Sequence, residues 1–148
     1  MVQAARSGKQ NVVEASAAAG HSSKTELKLT GVARASLEEL LADYRDFLRQ
    51  HGLPQWAKDG PRAQEIRKLA YEENRSYKNY KSYIEEASPE VAANTAICLV
   101  YQATYLLDRL IKQLEQTFIE KGGMSERMTA ARLRHRGKEG GNRTYGRE

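Results

Sequence analysis

Residues 88–121 read SPEVAANTAICLVYQATYLLDRLIKQLEQTFIEK. Ser88, Pro89 and Glu90 make a helix start. The hydroxyl can cap free backbone N–H groups, the proline loses nothing in a first turn, and the acid suits the positive end of the helix dipole. Gly122-Gly123 supplies the stop. The 17 residues from Val91 to Leu107 carry no charge. A membrane span needs about 20 apolar residues, and Asn94, Thr95, Gln102 and Thr104 interrupt this run. The stretch is therefore expected to be the central helix of a soluble all-α protein, enclosed on most sides by other helices. A buried amide is costly unless bonded, so Asn94 should bond a neighbouring backbone or side chain.

The 148 residues suffice for one domain with a core. Hydrophobic residues at 40% and charged residues at 29% are ordinary for a soluble globular chain. The single cysteine, Cys98, permits no intrachain disulfide and fits a reducing compartment. No apolar run preceded by basic residues opens the chain, so a cytoplasmic protein is expected, with no membrane partner. The net charge of +5 is unevenly placed. Residues 127–148 hold seven Lys or Arg and two Glu, whereas residues 1–126 hold 17 of each sign. Net charge thus gives no support for a nucleic-acid surface spread over the body.

Working outward, residues 2–19 are alanine-rich and free of proline. Val2, Ala5, Val12, Val13 and Ser16 can share one helical face, and the small side chains suit close approach to a neighbour. After a turn at 20–23, Ser23 and Glu26 offer a capping box for a helix over 24–50. Leu27, Thr30, Arg34, Leu37, Leu41, Tyr44 and Leu48 recur every three or four residues, and Ala33, Leu40 and Phe47 widen the stripe. His51-Gly52 and then Pro54 end it. The short connection predicts an antiparallel hairpin of 2–19 and 24–50. Arg34, inward on its stripe, is the expected partner of Asp108.

Arg6-Ser7, Asn11-Val12-Val13-Glu14-Ala15 and Ala33-Arg34-Ala35-Ser36-Leu37-Glu38-Glu39-Leu40 resemble motifs of helices two and three in a known family. This is the four-helix-bundle family related to the proteins encoded by intervening sequences of bacterial 23S ribosomal RNA genes. Ala15 departs from the family's glycine, and the family's first helix has no counterpart before Val2. The second half, through LRQHGLPQW (48–56), ANTAICLVYQATYLLD (93–108) and FIEKGGMSERM (118–128), resembles the four-helix-bundle suffix domain of some bacterial members. Together the resemblances span about residues 1–134. They imply fold and lineage but no catalytic residue. A basic, pentameric accessory protein of diversity-generating retroelements, which acts with a reverse transcriptase and RNA, resembles the same family. That analogy implies a homo-oligomer, with a five-membered ring as its model.

Trp56, beside Leu53 and Pro54, should pack a loop onto the bundle end. Asp59-Gly60-Pro61 is a turn. Residues 62–86 are polar with sparse anchors, and read as one or two outer helices. A short basic helix is expected over 122–136, capped by Ser125, and a disordered tail over 137–148.

Metal binding needs clustered ligands, yet His21, His51 and His135 lie in separate segments and Cys98 stands alone. No metal, cofactor, small-molecule substrate or enzymatic role is expected. Cys98 should be a buried, inert thiol. Tyr77, Tyr80 and Tyr83, with Lys78 and Lys81 between them, form either an edge for stacking single-stranded bases or a cover for the core. Arg127, Arg132, Arg134, Arg136, Lys138, Arg143 and Arg147 either contact phosphates or solvate the chain end.

The expected protein is a four-helix-bundle-like all-α chain. Its body is 1–121, with helices at about 2–19, 24–50, 62–86 and 89–121, and a basic tail follows. The expected role is a non-enzymatic oligomeric scaffold or adaptor. The alternative is an RNA- or DNA-binding accessory protein using the C-terminal arginines. The missing first helix should leave an apolar face on 24–50. Three things could cover it: the 62–86 segment, a helix encoded upstream, or another subunit.

Overall fold

The computed structural model describes residues 1–18, 23–121 and 124–140, without the side chains of 23, 121–126 and 137–140. The expected turn at 20–23, the stop at Gly122-Gly123, the Ser23 and Ser125 caps, the Lys138 side chain, Arg143 and Arg147 lie outside what is described. Among the described residues the chain is all-α, with helices α1 (Val2–Ala18), α2 (Ser23–Gln50), α3 (Pro61–Leu69), α4 (Tyr77–Ile84), α5 (Pro89–Lys121) and α6 (Met124–Gly140). No described helix is long and apolar enough to cross a membrane. The pairings that carry the fold are α1 on α2, α2 on α5, and α3 and α4 on α5; α6 enters none of them.

Helix α5 starts as its sequence dictates: Val91 N–H donates to Ser88 Oγ at 3.4 Å and Ala92 N–H to the Ser88 carbonyl at 2.9 Å. Its 33 residues make it about 50 Å long at 1.5 Å per residue, enough to carry α2, α3 and α4. Helix α2 ends in a Schellman turn. Gly52 takes the left-handed conformation at φ 62°. Gly52 N–H then donates to the Arg49 carbonyl (3.2 Å) and Leu53 N–H to that of Leu48 (2.9 Å). Leu53 folds back against Leu48, Ala93 and Ile97.

The loop after α2 is fastened by Asn94, which is 1% exposed. Its carbonyl accepts from Trp56 N–H at 2.8 Å, and its amide donates to the carbonyls of Pro54 (3.0 Å) and Glu90 (2.9 Å). Trp56 consequently packs with Ala63, Ile66 and Cys98. Each fully buried aliphatic side chain such as Leu48 or Ile66 contributes about 1.5–3 kcal/mol. Arg34 Nε meets Asp108 Oδ1 at 2.5 Å and links α2 to α5 across 74 residues.

Two expectations change, at α1 and in the tail. Helix α1 buries Ala4, Gly8 and Ala15, leaving Val2, Val12 and Val13 exposed. The reason is separation: a Cβ added at Gly8 would lie 3.6 Å from Ser36 Cβ, so the α1–α2 seam has room only for small residues, and valines would hold the helices apart. Of the one or two helices expected over 62–86 the chain forms two, because residues 70–76 break into turns after Leu69. Helix α6 runs to Gly140, through residues expected to begin the disordered tail. Helices α3 and α4 pack on α5 rather than on α2, with Ile84 of α4 reaching the edge of the groove beside the α2 stripe.

Candidate functional sites

Three faces of α5 are used differently. One buries Ala93, Ile97, Val100, Leu107 and Leu114, chiefly toward α2. A second carries Ala92, Ala96, Leu99, Ala103, Leu106 and Leu110. These six recur at spacings of 4, 3, 4, 3 and 4, the period of a coiled-coil seam. None is buried, and Leu106 is 62% exposed. At its N-terminal end the seam forms one wall of an apolar groove of about 410 Å3, bordered by Met1, Leu40, Tyr44 and Phe47 on one side and by Ile84 of α4. This is where the wide stripe of α2 is left uncovered.

The third face looks toward α3 and α4. Two adjoining cavities of about 250 and 600 Å3 share Tyr71, Gln102 and Tyr105 as a common wall. The smaller is bounded by Trp56, Tyr101, Lys58 and Arg67, with Cys98 in its wall. The larger is bounded by Tyr80, Arg75 and Arg109. Lys58 Nζ sits 5.5 Å from the Tyr101 ring centre and the Arg109 guanidinium 5.9 Å from that of Tyr105, both at cation–π range. Arg67 lies 3.4 Å from Asp59 at the rim. Lys58, Arg75 and Arg109 have no carboxylate partner among the described residues. Gln102 Nε2 is buried without a hydrogen-bond partner. Burial pushes the Cys98 thiol above its ordinary range, with Arg67 pulling weakly the other way.

The sequence-derived candidates are not brought together. Tyr80 and Tyr83 pack against Ala63, Ile66 and Cys98, while Tyr77 is 55% exposed. Their hydroxyls look to carboxylates: Tyr77 to Glu85 at 2.7 Å and Tyr83 to Glu65 at 2.6 Å. Both bonds raise those phenols' pKa, and burial does the same at Tyr80. On α6, Arg127, Arg132, Arg134 and Arg136 are exposed. Helical spacing sets Arg132 and Arg136 on one side and Arg127 and Arg134 on the other. Cys98 is 7% exposed. His51 caps α2, its Nδ1 at 2.8 Å from the Phe47 carbonyl. His135 is exposed on α6, and His21 lies outside the described residues. No group of three or more His, Cys, Asp or Glu gathers among the described residues.

Sequence reasoning missed both sites on α5. The seam was available in the 4-3-4-3-4 spacing, hidden because the same helix carries a second apolar face. The two-cavity trough left no local signal, since its rings and cations come from the 53–60 loop, α3, the 70–76 turn, α4 and α5. Compared with family models, curated proteins and solved structures, the chain matches none.

Proposed function

We propose that this chain is a non-enzymatic helical scaffold that assembles with a second copy through the seam of α5. The observation that carries the reading is the order of residues along that seam. Run antiparallel to itself, the stripe sets Ala92 opposite Leu110, Ala96 opposite Leu106, and Leu99 opposite Ala103 of the other copy. Every layer then joins one small and one large side chain, as interdigitated packing requires. Such an interface is isologous and closes on two copies. It would also bring cover to the groove beside Leu40, Tyr44 and Phe47. The seam therefore favours a pair over the five-membered ring implied by the family analogy.

Light scattering at micromolar concentration should report two subunits for the parent. Ala96→Glu, which sets a charge against leucine, should report the single 16.7 kDa chain with unchanged helicity. A parent that stays monomeric and binds no dye for exposed apolar surface would remove the proposal.

A second reading rests on α6, whose exposed arginines stand apart from the packed body. Here α6 contacts the phosphates of RNA or DNA as an accessory protein. Deleting residues 124–148 should abolish low-salt binding of labelled RNA; retained binding by the truncated body would count against it.

A further inference from the structure

We propose that the trough between α5 and the α3–α4 side binds a nucleoside phosphate, with the base in the smaller cavity and the phosphate on Arg75 and Arg109. This goes beyond the scaffold reading, although the two sites adjoin at Leu106, which belongs to the seam and also lines the larger cavity. It also sets aside the expectation of no small-molecule ligand.

The smaller cavity, at about 250 Å3, suits a compact planar ring. Trp56, Tyr101 and Tyr105 line it, and an aromatic lining favours a ring over an aliphatic chain. Gln102 contributes a buried amide with an unmet hydrogen-bonding atom. A heteroaromatic edge would satisfy it, whereas a hydrocarbon would leave it orphaned at full cost. The larger cavity opens across the shared wall of Tyr71, Gln102 and Tyr105 and holds two guanidiniums. No Asp or Glu lines either cavity. Neighbouring carboxylates are engaged: Asp59 with Arg67, Glu90 with the Trp56 indole N–H at 3.3 Å and Arg62 at 3.2 Å, and Glu72 by the Asn79 amide at 2.6 Å. The body carries equal numbers of acidic and basic residues, so Lys58, Arg75 and Arg109, three cations without a carboxylate partner among the described residues, mark a local anion site.

One chemistry uses the whole arrangement. Inorganic phosphate would ignore the rings. A simple aromatic acid would fill the first cavity and leave Arg75 and Arg109 idle. A nucleoside phosphate carries a hydrogen-bonding ring and, one sugar away, an anion that guanidinium recognises well. A free nucleotide and a residue of a single strand share this chemistry.

The test uses the full chain and its sole tryptophan, Trp56, as the reporter. AMP should change Trp56 emission saturably, and adenosine should bind at least about tenfold more weakly. Phosphate alone should leave the emission unchanged but compete with AMP. Arg75→Gln and Arg109→Gln should each weaken AMP about tenfold while leaving adenosine unchanged, a split that loss of fold would not produce. Gln102→Leu should weaken both. A short oligoadenylate that binds more tightly than AMP and is displaced by it identifies a single strand as the source. AMP binding without oligoadenylate binding identifies a free nucleotide. No saturable change with either, or equal losses of AMP and adenosine in the arginine variants, would overturn the proposal. Ala96→Glu should leave AMP binding intact, which separates failure here from failure of the α5 seam.

Discussion

Thr95 is fully buried, yet its hydroxyl has no hydrogen-bond partner. Thr95→Val keeps the shape and removes the desolvated group, so it should raise stability by about 1 kcal/mol, read from the urea midpoint. Cys98 illustrates burial acting on a titrating group. Desolvation raises its folded pKa, so the folded protein holds the thiol proton more tightly than the unfolded chain. The associated stability is complete below the unfolded thiol value of about 8.5 and is lost as pH climbs through the folded value. Melting temperature should therefore fall as pH rises above the unfolded thiol value of about 8.5. Cys98→Ala should flatten that slope. Alkylation of Cys98 in the native state should be slow, and fast in denaturant; equal rates would mean that α5 is not enclosed. Asn94, Arg34 and Cys98 were readable because each is a polar or reactive residue set in an apolar pattern, and its neighbours leave few outcomes. Gln102 sits in the same run, but nothing local says that its amide goes unpartnered.

At the scale of elements, the contact of α1 with α2 depends on side-chain size more than on hydrophobicity. The nearest atoms to a Cβ at Gly8 are Ser36 Cβ at 3.6 Å, the Ala33 carbonyl at 3.7 Å and Leu37 Cδ2 at 3.8 Å, all ordinary contacts. Gly8→Ala should fit and stabilise the helix by about 0.5–1 kcal/mol. Gly8→Leu reaches past that space and should cost about 1–3 kcal/mol through overpacking; thermal melts of both would decide. The long amphipathic helix α2 and the capped helix α5 were legible from period and punctuation. The buried face of α1 was not, because a valine stripe looks like a core face and an Ala-Gly stripe does not. Close approach between helices reverses that preference, and the inter-helix distance belongs to the pair, so the sequence of α1 alone does not state it.

For the whole molecule, α5 organises three tasks on three faces: the core with α2, a trough with α3 and α4, and an uncovered heptad seam. The first was legible because it fills one pattern with apolar residues. The others arise only when distant segments meet, or when one helix carries more apolar surface than its own chain covers. The most direct measurement of the α5 pairing is disulfide trapping in a Cys98→Ser background. Residues 96 and 106 lie about 15 Å apart along one helix, too far to bridge within a chain. In the antiparallel register residue 96 of one copy faces residue 106 of the other. The Ala96→Cys/Leu106→Cys double variant should oxidise to a covalent dimer on a non-reducing gel, while neither single variant does. A double variant that stays monomeric, or single variants that cross-link as readily, would contradict the pairing.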